Sequence, residues 1–64
     1  MKLTLRIETK DGNVDFNFNT LKAYHYEIQK DESIAFAVYP SEGGRYLFDN
    51  DESLRIRLVE EYDE

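Results

Sequence analysis

The sequence predicts an antiparallel all-β domain. Apolar and polar residues alternate along several runs, the first carrying Leu3, Leu5 and Ile7, and a period of two is typical of half-buried strands. Polar turn-forming stretches recur near residues 11, 31, 42 and 51, at roughly the 8 to 12 residue spacing of hairpins in all-β domains. The chain has 64 residues, enough for one small domain spanning residues 1–64. We therefore expect a meander of five to six strands, curled into a barrel or roll.

The amino-terminal hairpin is the clearest local pattern. Residues 2–9 alternate strictly, which predicts a first strand. Asp11-Gly12 follows, and this dipeptide favours a tight reversal because it tolerates positive φ. Val14, Phe16 and Phe18 then alternate with polar residues. A second strand, antiparallel to the first, is the expectation.

Residues 20–29 allow two interpretations. A helical stripe capped by Thr20 would contain Leu21, Tyr24, His25 and Ile28. The aromatic and β-branched residues of 24–28 instead favour a strand, and we prefer the strand. If this segment were helical, the fold would be α+β, with a helix at about residues 20–30.

Three further strands are predicted in the second half of the chain. Residues 33–39 carry no charge and read as a central strand that Pro40 ends. Residues 46–48 make a short strand after a glycine-containing turn. Residues 54–58 alternate like the first strand. A helix over residues 51–62 is less favourable because it would place acids at the negative end of its dipole. The two terminal strands could pair and close the sheet on itself.

The charge is concentrated near the carboxyl terminus. The net charge is −6, of which residues 49–64 contribute −5 through seven acids and two arginines. This balance disfavours nucleic-acid binding and an anionic membrane surface, which both require a basic patch. It suits either simple solubility or attraction of a basic protein. Residues 60–64 are expected to form a frayed acidic tail.

The residue inventory does not favour catalysis, a metal site or a cofactor. The chain has no cysteine and a single histidine, His25, which strand alternation places outward. Acids at 49, 51 and 60 match part of a calcium loop, but Leu54 stands where that loop needs glycine. No run approaches the roughly 18 apolar residues of a membrane span. We expect a cytoplasmic protein that is not an enzyme, with no metal and no cofactor.

Tyrosines and acids are the candidate contact residues. The chain has five tyrosines, more than so small a domain can bury, and tyrosine is enriched in protein interfaces. We expect a small acidic protein-binding or regulatory module. One alternative is a nucleic-acid mimic that inhibits a basic protein, similar to small phage-encoded inhibitors; the other is a structural component that self-associates as a homo-oligomer. The residues expected to contact a partner are Asp49, Asp51, Glu52, Glu60, Glu61, Tyr24, Tyr26 and Tyr46.

Overall fold

Six strands and one short 3-10 turn make up the chain in a computed structural model that describes residues 2–62. The strands, in chain order, are β1 Lys2–Thr9, β2 Gly12–Asn17, β3 Leu21–Ile28, β4 Ile34–Pro40, β5 Tyr46–Asp49 and β6 Arg55–Glu61. The all-β prediction is confirmed. The helical alternatives over 20–30 and 51–62 are wrong, because β3 and β6 occupy those segments.

Two separate antiparallel sheets form, each of three strands. The first has the order β2-β1-β6 and the second β3-β4-β5. The terminal strands pair as expected, with Leu5 opposite Leu58 and Ile7 opposite Ile56. The predicted closure into a barrel is wrong, and so is an uninterrupted meander, because β2 does not pair with β3 and β5 does not pair with β6.

The break in the meander lies at a 3-10 turn, Phe18–Thr20. The Asn17 side chain accepts a hydrogen bond from the Asn19 N–H, and the Thr20 hydroxyl donates to the Asn17 carbonyl. These local bonds satisfy the backbone without a ladder partner, so the chain leaves the first sheet. The chain then enters the second sheet at Leu21, which lies opposite Pro40.

The first turn lies one residue earlier than predicted. Lys10 and Asp11 occupy it, while Gly12 already pairs with Thr9 and has φ +130°. The Thr9 hydroxyl accepts a hydrogen bond from the Asp11 N–H and donates to the Gly12 carbonyl. Glycine is favoured here because residues with a Cβ rarely adopt this backbone conformation.

The core lies between the inner faces of the two sheets. Its buried members are Leu5, Ile7, Phe36, Val38 and Leu54. The Phe16 ring contacts the Tyr46 and Phe48 rings at centroid distances of 5.2 and 6.3 Å, so β2 packs against β5.

The molecule is more extended than a compact chain of its length. Its radius of gyration is 12.6 Å and its dimensions are 47 × 25 × 15 Å, whereas a compact 64-residue domain has a radius of gyration of about 11 Å. Parts of the inner faces are therefore left uncovered.

Candidate functional site

The acids expected to contact a partner fall into two groups. Asp49 ends β5, with Asp51 and Glu52 in the turn that follows, whereas Glu60 and Glu61 end β6. Because each strand residue advances about 3.3 Å, the length of β6 separates the two groups by roughly 20 Å. Glu60 and Glu61, expected in a frayed tail, belong to the paired strand β6, and Tyr62 follows that strand. Residues 63 and 64 lie outside the described residues.

The resemblance to a calcium loop has no counterpart in the geometry. The Asp51 carboxylate accepts hydrogen bonds from the Ser53 N–H at 2.9 Å and the Ser53 hydroxyl at 2.5 Å. These bonds hold the pKa of Asp51 below its ordinary value. Glu60 lies at the far end of β6. Within residues 2–62 there is no group of three or more acids or histidines that could hold a metal ion.

The three candidate tyrosines share the inner face of the second sheet. Tyr24 and Tyr46 lie on either side of Val38, one on each neighbouring strand. Tyr26 lies opposite Phe36, and their ring centroids are 5.1 Å apart. The sheet therefore places Tyr46 of β5 on the same face as Tyr24 and Tyr26 of β3, although these residues are distant in the chain.

Two isoleucines extend this aromatic surface to the end of the β3–β4 hairpin. Ile28 and Ile34 lie directly opposite each other, and they are 77% and 45% exposed, while Tyr24 and Tyr26 are 43% and 56% exposed. We call these four residues the β3 strip. Sequence reasoning missed both isoleucines because alternation predicted buried positions. Their place beside the polar turn at 29–33 is the signal that could have identified them.

The strip borders a free strand edge. β3 pairs with β4 on one side, and within residues 2–62 no strand pairs with its other side. The outward N–H and C=O groups of an edge strand are available to another chain. β3 has eight residues, compared with four in β5, the opposite edge of this sheet. Three of the four strip residues, Tyr24, Tyr26 and Ile28, thus lie on the strand that has the long free edge.

The opposite face of β3 carries a polar cluster around Glu27. Its carboxylate accepts hydrogen bonds from the Tyr39 hydroxyl, from His25 Nε2 at 2.8 Å and from Arg45 Nη1 at 3.3 Å. These donors hold the pKa of Glu27 below its ordinary value, the Tyr39 hydroxyl contributing most. The His25 ring also lies over the Tyr39 ring at 5.3 Å. These contacts hold the His25, Glu27 and Tyr39 side chains together on the outward face of the sheet.

The first sheet presents a different outer surface. Arg6 makes a two-point ion pair with Asp15, at 2.9 and 3.1 Å, and Arg57 donates to Glu8 at 3.2 Å. These pairs cross from β1 to its two neighbours. Charged side chains on an edge strand such as β6 discourage uncontrolled pairing. The Tyr24–Tyr26–Ile28 side of β3 lacks such charges.

Two solvent-open depressions border β5. One, of about 230 Å³, lies between the first turn and β5, and the other, of about 520 Å³, lies beside the β3–β4 turn. Lys10 and Asp49 line the first, and Lys30 and Arg45 are among the residues that line the second. Neither is lined by His25. Both depressions combine acidic and basic side chains with apolar ones.

No protein-family model, curated protein or solved structure matches this chain. The part of the chain that the structure describes contains no helix long and apolar enough to cross a membrane.

Proposed function

We propose that this chain is a small, non-catalytic protein-binding module whose contact surface is the β3 strip together with the free edge of β3. The exposure of four large apolar side chains along one hairpin carries the proposal. Monomeric proteins rarely leave contiguous apolar patches of more than a few hundred Å² uncovered, and larger patches are typical of interaction sites.

An extended segment of another polypeptide chain is the ligand that fits this surface best. Such a segment can add to a free edge as a further strand, with backbone hydrogen bonds giving affinity and alternate side chains giving specificity. Tyr24, Tyr26 and Ile28 recur at every second position, so the complementary segment would carry apolar residues at every second position too.

The acids have a secondary role in this proposal. A net charge of −6 repels acidic proteins and favours encounter with basic ones. Because the two acidic groups lie about 20 Å apart along β6, we expect them to change the association rate, and we expect salt to weaken that effect. We expect the β3 strip to make the specific contact.

A pull-down with paired variants tests this function. Lysate of the source cell is passed over the wild type, the double variant Tyr26→Ser/Ile28→Ser and the control Tyr62→Ser. Tyr62 is 71% exposed and lies beyond β6, so its substitution removes a similar apolar group away from the strip.

A specific interaction through the strip predicts that proteins retained by the wild type and by Tyr62→Ser are lost with the double variant. A retained copy of the chain itself counts as a partner, detected by isotope labelling. Identical retention by all three proteins would contradict the proposed surface.

A further inference from the structure

We propose that the strand which occupies the free edge of β3 is the β3 of a second copy of this chain. The inference rests on the proposed function, because it names the occupant of the same surface. Antiparallel pairing about a two-fold axis would join two three-stranded sheets into one sheet of six strands, in the order β5-β4-β3-β3-β4-β5.

The apolar side of β3 is complementary to itself in one register. Two identical antiparallel strands pair symmetrically about a single residue, which fixes every contact. With Tyr26 on the axis, Tyr26 faces its own copy, and Tyr24 faces Ile28 of the second copy. Directly opposed residues of antiparallel strands point to the same face and contact each other. All three exposed apolar side chains of β3 would therefore be covered by one another.

The polar side of β3 is complementary in the same register. His25 then faces Glu27 of the second copy, and the reverse contact is made by symmetry. A carboxylate opposite an imidazole provides a hydrogen-bond acceptor for the ring N–H, and cross-strand pairs of this kind stabilise a sheet. Both faces of the strand thus favour the same axis.

Neighbouring registers are less favourable. An axis at His25 would oppose the two histidines and place Lys22 against the apolar Ile28. An axis at Glu27 would oppose two carboxylates, which repel each other. The irregularity between Leu21 and Ala23 confines a regular ladder to residues 24–28.

The size of the contact predicts a dimer that depends on concentration. Tyr24 and Tyr26 each expose about half of their side chain, or roughly 100 Å² each. With Ile28 and the backbone edge added, the two copies would bury on the order of 1,000 Å² in total, at the low end for specific complexes. Interfaces of this size are typical of transient association, so we expect the dimer fraction to rise with protein concentration.

Cysteine cross-linking tests both the pairing and its register, because the wild-type chain contains no cysteine. Opposed Cα atoms in an antiparallel ladder lie about 4.5–5.5 Å apart, within the range of a disulfide. Tyr26→Cys should therefore cross-link to its own copy in oxidised glutathione. Tyr24→Cys and Ile28→Cys should not do so alone, since each lies about 13 Å from its own copy. A mixture of these two variants should cross-link to each other.

We expect Tyr26→Cys, and the mixture, to form dimer at least tenfold faster than Tyr24→Cys, Ile28→Cys or Tyr62→Cys alone. Light scattering should show the wild-type mass rising from 7.6 kDa towards twice that value with concentration. Equal cross-linking at all positions, or a constant monomer mass, would overturn the self-pairing. If the self-pairing were overturned in this way and the strip still captured a different protein, the proposed function would stand without the self-pairing.

Discussion

Ile7 and Ile28 are the same residue type in opposite environments, 0% and 77% exposed. Ile7→Val removes one carbon from the closed centre of the core, a change that costs about 1 kcal/mol. Ile28→Val removes a carbon that is already largely hydrated, so about 0.2 kcal/mol is expected. Both substitutions keep a β-branched residue in a strand, so the difference in backbone propensity is small.

The two variants are compared with the wild type by thermal unfolding followed by circular dichroism, at a protein concentration low enough to keep the chain monomeric. In a domain of this size, 1 kcal/mol shifts Tm by about 4–8 °C. Ile7→Val should lower Tm by that amount, and Ile28→Val by about 1 °C. Equal shifts, or a larger shift for Ile28→Val, would refute the assignment of Ile7 to the core and of Ile28 to the surface.

Three further predictions concern local contacts. Tyr39→Phe should raise the pKa of Glu27, measured by NMR titration of its carboxyl carbon, because the hydroxyl is the largest cause of the lowered value. A carboxyl whose pKa is lowered by folding stabilises the fold at pH values above its unfolded pKa, near 4.5, and this stability is lost as the pH falls through the folded pKa. The free energy of unfolding of Tyr39→Phe should therefore differ most from that of the wild type near neutral pH. Ser53→Ala should raise the pKa of Asp51 in the same titration, because it removes the hydroxyl bond and keeps the backbone N–H bond; an unchanged value would exclude the Ser53 hydroxyl as the main cause of the lowered pKa. Gly12→Ala should lower the urea midpoint, because φ is +130° there; an unchanged midpoint would contradict the turn geometry.

Alternation identified the strands because one face of each sheet is buried. The runs Leu3 to Ile7 and Leu54 to Leu58 have period two. The first lies in β1, and the second lies in β6 except for Leu54, which precedes the strand. Residues 20–29 fit both a helical period and a strand period, and the segment forms strand β3, which pairs with β4. The alternation of apolar and polar residues could not predict sheet closure, because a period of two indicates which face of a strand is buried and does not indicate which strand edges pair. That outcome depends on the turn at Phe18–Thr20.

The candidate surface was predicted only in part. The excess of tyrosines indicated exposed aromatic groups, and Tyr24, Tyr26 and Tyr46 do share one face. Ile28 was missed because hydrophobicity alone predicts burial, whereas at the end of β3, beside the polar turn, it is 77% exposed. The carboxyl-terminal acids appeared as one block in the sequence but lie at both ends of β6. Proximity in sequence overstated proximity in space, since a strand keeps its ends apart.

Amide hydrogen exchange along β3 tests most directly whether this strand is the contact surface. Exchange is measured by NMR at low and high protein concentration, with β6 as the internal reference edge. We predict that the outward amides of residues 24–28 exchange rapidly in dilute solution and become protected at high concentration, while the outward amides of β6 stay unprotected. Protection that appears on β6 and not on β3 would contradict the proposal that β3 is the contact surface. The proposal would also be contradicted if neither a higher protein concentration nor any protein retained in the pull-down changed the exchange of the β3 amides.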